Sequence, residues 1–205
     1  MMNKFAIALC SMAWGAVMLT SCNPKERLAE EVQGCWTGNP ETLQDTGAMT
    51  ASLVRVFQFT KGTTPTEGTV TMTAVITVEN TMQSNDSIIT PLQISASGTA
   101  TITGVYQAKD DDELIVRLDN MSLSVSVDPD GVQLNYDVLT GDSAPMADRL
   151  KPGAAVLATQ QINRAAQHLF SNFTEIEDIH INGDVMHCEV KDVDLVMTRS
   201  PQATD

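Results

Sequence analysis

The carboxyl-terminal part of the chain holds side chains whose types could bind a metal ion. His180, His187 and Cys188 lie close together in the sequence, and imidazole and thiolate groups are preferred ligands of Zn²⁺. If Asn182-Gly183 forms the two-residue turn of a hairpin, however, His180 faces Val185, and the two histidines do not lie opposite each other. This spacing argues against a metal site, and we expect neither a metal nor a cofactor.

The sequence also lacks the motifs of common catalytic sites. It contains no Gly-x-Ser-x-Gly element, no His-Glu-x-x-His element, no phosphate-binding loop and no dinucleotide fingerprint. The formal net charge is −14, from 26 Asp and Glu against 12 Lys and Arg. Nucleic acid is therefore not an expected partner, because binding to phosphates requires a basic surface. We expect an acidic protein that is not an enzyme.

The beginning of the chain carries the pattern of a secretory signal. Lys4 precedes an apolar run from Phe5 to Leu19, which is too short to span a bilayer comfortably as a helix. The run ends in Leu19-Thr20-Ser21-Cys22, which resembles the lipobox of bacterial lipoproteins. We expect residues 1–21 to be a signal peptide and Cys22 to carry the acyl chains that hold the protein to a membrane. Ordinary cleavage near Ser21, which would release a periplasmic protein, is the alternative.

The residues after the acylated cysteine bear on the choice of membrane. Asn23, Pro24 and Lys25 follow it, whereas an Asp in the first of these positions would suggest retention at the inner membrane of enteric bacteria. We therefore expect an exported protein that is lipid-anchored in the outer membrane. Its orientation, toward the periplasm or the cell surface, is left open.

Two cysteines remain for a disulfide after export and acylation. Cys35 and Cys188 lie near opposite ends of the mature chain, and a bond between them would stabilise the fold by about 4 to 5 kcal/mol in a simple entropy model. Against this pairing, Cys188 alternates with Met186 on an apparent core face, whereas Cys35 is out of phase with Trp36. Two buried, unpaired thiols are the alternative.

Residues 34–200 are expected to form a single β-rich domain, after a tether and short helical lead-in over residues 22–33. Apolar and polar residues alternate with the period of two that is typical of half-buried strands. The predicted strands span residues 53–59, 70–78, 94–106, 113–118, 121–127, 132–139, 176–181, 185–190 and 193–198. Turn sequences between them favour hairpins. An antiparallel meander of about eight to ten strands protects its edges most completely by closing into a barrel.

Residues 152–173 follow the spacing of an amphipathic helix instead. The apolar positions are Leu157, Ile162, Ala166, Leu169, Phe170 and Phe173. Pro152 suits the first turn of a helix, where its missing N–H has no intrahelical partner to lose. The polar face has few Lys and Arg, so we expect the helix to seal the end or side of the barrel rather than to lie on a membrane.

Residues at the two ends of the predicted domain point to a family. Gly34-Cys35-Trp36 opens the first strand region, and Arg199 closes the last strand. This pattern resembles the lipocalin-like (calycin) lipoproteins of Gram-negative gut-type bacteria, a group that includes families of unknown function. The resemblance implies that Trp36 lies at the closed end of the barrel with Arg199 over its indole, so Gly34, Trp36 and Arg199 have structural roles. Lipocalins place their helix after the eighth strand, whereas strands follow the helix here, so a β-sandwich is the alternative fold.

The function we expect follows from the small and aliphatic residues of the predicted inward face. These are Ala74, Ala96, Gly98, Ala100, Ile102 and Gly104. In a barrel of about eight strands they would leave room for a small apolar or amphipathic ligand, although the sequence does not identify the residues that contact it. The alternative is a filled barrel that serves as an interaction or accessory subunit of an envelope protein complex. The same small residues would then let the helix pack closely on the sheet.

Overall fold

The computed structural model describes residues 23–46, 49–82, 92–128, 131–135, 144–171 and 173–200. In chain order, the elements are α1 (Pro24–Glu31), β1 (Gly34–Gly38), β2 (Glu41–Asp45), β3 (Met49–Lys61), β4 (Glu67–Met82), β5 (Leu92–Ala108), β6 (Leu114–Leu118), a 3-10 turn (Asn120–Ser122), β7 (Ser124–Val127), β8 (Gln133–Asn135), α2 (Ala144–Phe170), β9 (Glu175–Asn182), β10 (Val185–Val190) and β11 (Val193–Ser200). Neither of these two α-helices combines the length and the apolar composition that crossing a membrane requires.

The strands pair antiparallel in one sheet that closes on itself. β1 pairs with both β3 and β11, so the order β1-β11-β10-β9-β6-β5-β4-β3 returns to β1 as a ring of eight strands. The prediction of an antiparallel meander with a helix before the last strands is confirmed, since β9, β10 and β11 follow α2. One continuous sheet replaces the two facing sheets of a sandwich, and closure pairs both edges of β1.

β3, β4 and β5 are longer than all the other strands of the sheet, so the ring occupies only part of the length of β3 and β5. On β3, β1 pairs with residues 56–59 and β2 with residues 50–53. On β5, β6 pairs with residues 104–108, and β7 and β8 pair with earlier residues. The sheet therefore extends beyond the ring, and α2 packs there against β4, β5, β7 and β8.

The alternation of apolar and polar residues decides which side chains face the core. Along β4 the buried side chains are Val70, Met72, Ala74, Ile76 and Val78. Aromatic side chains from other elements meet edge to face: the ring centroids of Phe59 and Tyr106 are 5.4 Å apart, and those of Phe57 and Phe173 are 6.1 Å apart. The period of two thus accounts for both the strands and the composition of the core.

The segment before β7 differs from its prediction as a strand. Asp119 Oδ1 accepts a hydrogen bond from the Met121 backbone N–H at 3.0 Å, and Ser122 Oγ donates to the Asp119 carbonyl at 2.7 Å. These bonds stabilise the 3-10 turn and leave the Met121 side chain 93% exposed. The alternation of Met121 with the residues of β7 was therefore misleading, because local side-chain hydrogen bonds compete with strand pairing.

The bounds of α2 also differ from the prediction. The helix begins at Ala144 and ends at Phe170, so Pro152 lies inside it and not in its first turn. A proline inside a helix removes one backbone donor and crowds the carbonyl four residues earlier, which lowers the stability of the helix without excluding it. Ala, Met, Arg, Leu and Lys occur among the preceding helical residues, and these residue types favour helix.

Gly34, Trp36 and Arg199 come together where β1 pairs with β11. The Arg199 guanidinium carbon lies 4.1 Å from the centroid of the buried Trp36 ring. Trp36 Nε1 donates a hydrogen bond to the Val32 carbonyl at 2.7 Å. Gly34 has a φ of 111°, and a Cβ added there would lie 2.9 Å from Arg199 Nη1. The contact between Arg199 and Trp36 that the family resemblance implied is present.

Arg199 also joins the ring to α1. Its Nη2 donates to the Glu31 carbonyl at 3.0 Å, and its Nη1 donates to the Gln33 carbonyl. Carbonyls at the end of a helix lack intrahelical partners, and a positive charge is favoured beside them. Arg199 therefore satisfies the end of α1 and covers Trp36 with the same guanidinium.

Replacing Arg199 with Ala tests this double role. We expect Arg199→Ala to lower the free energy of unfolding by about 2 kcal/mol, because it removes a cation–π contact and hydrogen bonds to two carbonyls. Urea denaturation followed by circular dichroism measures the change. Arg164→Ala is the control, since Arg164 is exposed on α2 and has no ion pair within the described part of the chain. Equal losses in the two variants would contradict the role of Arg199.

Candidate functional site

The inner face is packed with side chains where the sequence predicted room for a ligand. Its expected Ala and Ile residues are all buried, at Ala74, Ala96, Ala100 and Ile102. A Cβ added to Gly98 would lie 2.8 Å from Val127 Cγ2 and 3.0 Å from Ile162 Cδ1 of α2. A Cβ added to Gly104 would lie 2.4 Å from the Arg117 carbonyl oxygen. The small residues therefore let α2, β6 and β7 approach β5 closely.

Arg55 is a buried charge on β3, with 7% of its surface exposed. Its guanidinium forms a bidentate pair with Glu41 of β2, with Nε to Oε1 at 2.8 Å and Nη2 to Oε2 at 3.0 Å. Such fork-to-fork geometry makes strong charge-assisted hydrogen bonds. The guanidinium is thus already occupied, so we assign Arg55 and Glu41 the structural role of holding β2 on β3.

Cys35 and Cys188 are free thiols, so the disulfide considered from the sequence is not formed. Cys188 is buried and pairs in register with Leu195, whereas Cys35 is only half-buried and its neighbour Trp36 takes the inward position on β1. The two thiols thus lie on opposite faces of the sheet, as the phase of the alternation indicated. Burial raises the pKa of Cys188 to about 12, against a smaller lowering by the charge of Arg55.

His180 and His187 lie directly opposite each other, and the prediction that they do not is wrong. Asn182 pairs with Val185, so the hairpin turn is Gly183-Asp184 and the register moves accordingly. Gly183 adopts a φ of 60°. Glycine is favoured at the first position of type II′ turns and at the second position of type I′ turns, so its presence alone does not fix the position of the turn. Both imidazoles are exposed.

Three carboxylates lie together near this hairpin. Ligand oxygens of Glu113, Glu175 and Glu177 all lie within 4.8 Å of one another. Among the described residues, these three glutamates are the group of possible metal ligands that lie this close together. The group includes neither His180 nor His187. Repulsion, first from Glu175, raises the pKa of Glu177, and Glu113 already pairs with Lys109 at 2.6 Å. Exposed acids are common in a chain of this charge, and we assign no metal to them.

A cleft of about 360 Å³ opens on the outer face of the ring, where β4, β5 and β6 pair. Its floor consists of two rows of outward side chains in cross-strand register: Glu67, Gln107 and Ile115 in one, and Thr69, Val105 and Arg117 in the other. Residues 62–64 of the turn between β3 and β4 also line it. This volume lies in the range of small-molecule sites.

The turn that borders the cleft is held by backbone hydrogen bonds. The Gly62 N–H donates to the Glu67 carbonyl at 2.9 Å, and the Ala108 N–H donates to the Thr66 carbonyl at 2.8 Å. A Cβ added to Gly62 would lie 2.7 Å from the Glu67 carbonyl oxygen, so this close approach needs glycine. The wall of the cleft is therefore formed before any ligand binds.

The polar groups of the cleft differ in the number of hydrogen bonds and ion pairs that they form within the protein. Glu67 accepts hydrogen bonds from Thr64 at 2.9 Å and from Gln107 at 3.0 Å, one on each carboxylate oxygen. Arg117, at the diagonally opposite corner of the floor, forms no ion pair or hydrogen bond through its guanidinium within the described residues. Val105 lies between them with 52% of its surface exposed. The floor of the cleft therefore combines the hydrogen-bonded carboxylate of Glu67, the apolar surface of Val105 and the unpaired guanidinium of Arg117.

Sequence reasoning missed this cleft, although the sequence contains a signal for it. The outward positions of β5 are otherwise polar, with Thr101 and Thr103 before Val105. Ile115 breaks the alternation of β6 in the same way. Apolar residues at solvent-facing positions on two paired strands mark a surface patch, and strand register is needed to place them side by side.

Two predictions at the amino terminus lie outside the described residues. These are the signal peptide over residues 1–21 and the acylation of Cys22. Asn23, the first described residue, caps α1 by accepting a hydrogen bond from the Lys25 N–H at 3.2 Å. The predicted helical lead-in is therefore present, but it already begins at Pro24, so little of residues 22–33 is left for the predicted tether.

The raised pKa of Cys188 predicts an inert thiol. At pH 8 we expect a thiol-specific reagent to modify Cys35 in the folded protein and Cys188 only after unfolding, because the reacting species is the thiolate. Mass spectrometry of tryptic peptides before and after addition of urea measures both. Equal rates for the two cysteines in the folded protein, or a peptide pair joined by a disulfide, would contradict the structure.

No protein-family model matches this chain, and no curated protein sequence matches it either.

Proposed function

We propose that this protein is a non-catalytic, lipid-anchored envelope protein that binds a small amphipathic ligand in its outer cleft. The observation that supports this proposal most directly is the cleft itself, in which the exposed Val105 and the half-buried Ile115 lie beside the unpaired Arg117. Small-molecule sites typically combine apolar walls with a few polar groups that orient the ligand. The proposal places the ligand outside the ring, because packed side chains occupy the inner face where the sequence suggested it.

The composition of the cleft supports binding rather than catalysis. Its carboxylate, Glu67, accepts a hydrogen bond on each oxygen, and its other outward polar side chains are Thr, Gln and Arg. General acid–base chemistry needs a positioned group that exchanges a proton near neutral pH. The lining residues of the cleft include no histidine, cysteine or second carboxylate to supply one.

Two features support the resemblance to lipocalin-like lipoproteins as part of this proposal. The ring of eight strands closes through β1, and Arg199 covers Trp36 beside Gly34. Acylation of Cys22 would place the lipid one residue before the cap of α1. The anchor would then hold the α1 end of the ring close to the membrane, and the outer membrane is the membrane we propose.

Replacing Cys22 tests the anchor. We expect Cys22→Ser to move the protein out of the membrane fraction and to abolish incorporation of an alkyne-tagged fatty acid, because the thiol is the acceptor of the acyl chains. The matched control is Cys35→Ser, which should leave both properties unchanged. Labelling that persists in Cys22→Ser and disappears in Cys35→Ser would contradict the assignment.

The close packing of α2 on Gly98 favours a second candidate function. The sequence left open a filled barrel that acts as an interaction or accessory subunit of an envelope complex, with small residues serving helix packing. The contact between Gly98 and Ile162 is of this kind. This candidate predicts that no small molecule binds the outer cleft.

A neutral apolar fluorophore distinguishes the two candidates. We expect N-phenyl-1-naphthylamine to bind the purified, unacylated protein at one site, with its affinity lowered about tenfold or more in Val105→Glu, because a charge in the apolar floor is costly to desolvate. Val75→Glu is the control, since Val75 is a comparably exposed valine on the outer face of β4 away from the cleft. Absence of binding, or equal effects of both substitutions, would favour the interaction subunit.

A further inference from the structure

We infer that the ligand of the outer cleft is an amphipathic organic anion whose negative group binds Arg117. This inference rests on the proposed function and adds the chemical class and the orientation of the ligand. It follows from the distribution of charge, apolar surface and hydrogen-bond donors across the floor of the cleft.

Arg117 supplies the site for the anionic group. In the described part of the chain its guanidinium has no acidic partner, although acids outnumber bases by 26 to 12 in this sequence. Arg55 pairs with Glu41 and Arg199 packs on Trp36. Arg164 of α2 also lacks an ion pair in the described residues, but it does not line the cleft. A guanidinium presents a rigid fork of donors that matches carboxylate, sulfonate or phosphate oxygens. An unpaired fork inside a cleft of an acidic protein is thus a site for a ligand oxyanion.

Glu67 fixes the direction in which such a ligand lies. Thr64 and Gln107 hold its carboxylate at the corner of the floor opposite Arg117. A second negative group would be repelled at that corner, whereas a hydroxyl or amine could donate to the carboxylate. The ligand therefore carries its anion at the Arg117 corner and any donor group at the Glu67 corner.

Val105 and Ile115 provide the surface for the apolar body between these corners. Val105 pairs in register with Arg117, and Ile115 pairs with Gln107, so the two apolar side chains lie on adjacent strands beside the cation. Covering them removes apolar surface from water, which favours binding roughly in proportion to its area. An inorganic anion would leave this surface exposed, so the site favours an organic anion.

The cleft also lies at the end of the ring that α1 occupies. Tyr106, the inward-facing residue between Val105 and Gln107 on β5, accepts a hydrogen bond from Gln33 at 2.5 Å, and Lys61 of β3 pairs with Glu30 of α1 at 3.2 Å. With the proposed lipid on Cys22, this end faces the membrane. A molecule that partitions between water and a bilayer would meet the cleft there, and amphipathic anions have this property.

Two fluorophores with the same aromatic body test the inference. 8-Anilinonaphthalene-1-sulfonate carries a sulfonate that N-phenyl-1-naphthylamine lacks. In Arg117→Gln we expect the dissociation constant of the sulfonate probe to rise about tenfold, as for loss of a hydrogen bond to a charged group, and that of the neutral probe to change less than twofold. Arg164→Gln removes an exposed arginine of α2 and should change neither constant.

The outcomes separate this inference from the proposed function. If Val105→Glu weakens both probes but Arg117→Gln leaves the sulfonate probe unchanged, the anion assignment is wrong and binding in the cleft stands. If Val105→Glu weakens neither probe, the proposed function fails together with the inference. If Val105→Glu weakens both probes, Arg117→Gln weakens the sulfonate probe alone and Arg164→Gln weakens neither, the assignment of Arg117 holds.

Discussion

The stacking of the Arg199 guanidinium on the indole of Trp36 is the contact on which the closed ring depends. The two residues are register partners on β1 and β11, so the contact joins the beginning of the fold to its end. The same guanidinium donates hydrogen bonds to the Glu31 and Gln33 carbonyls at the end of α1. Bringing together distant parts of a chain has an entropic cost that local contacts do not repay. One arginine that combines a cation–π contact with helix capping offsets this cost where the ring closes.

Closure with eight strands limits what the interior can hold. A ring of this size has an interior just wide enough for side chains or one small ligand. Here Trp36, Phe57, Phe59 and Tyr106 occupy it, and α2 covers the extension of β4 and β5. The glycines and alanines of β5 serve this packing. The ligand that we propose would therefore bind on the outer face, where the turn between β3 and β4 forms a wall beside the outward residues of β4, β5 and β6.

The sequence predicted the strands in which apolar and polar residues alternate, because one face of each such strand is buried and the other is exposed to solvent. The long alternating runs of β4 and β5 fall in this class, whereas the contact of Trp36 with Arg199 was implied by the family resemblance. β2 was not predicted, because its residues Glu41–Asp45 are mostly polar and it forms by pairing with the free part of β3. The predicted turn Asn182-Gly183 lies one residue before the observed turn Gly183-Asp184, because glycine suits either position of a two-residue turn. This shift changed the register, so the sequence wrongly predicted that the two histidines do not face each other. The outer cleft depends on register across three strands, and no single segment carries that information.

Binding outside a filled ring is the central claim, and methyl NMR tests it most directly. The protein is labelled at isoleucine and valine methyl groups and titrated with 8-anilinonaphthalene-1-sulfonate. We predict that the resonances of Val105 and Ile115 shift with saturation at one equivalent, while those of the inward-facing Ile76 and Ile102 stay in place. Shifts of Ile76 and Ile102 without shifts of Val105 and Ile115 would place the ligand inside the ring and contradict the account.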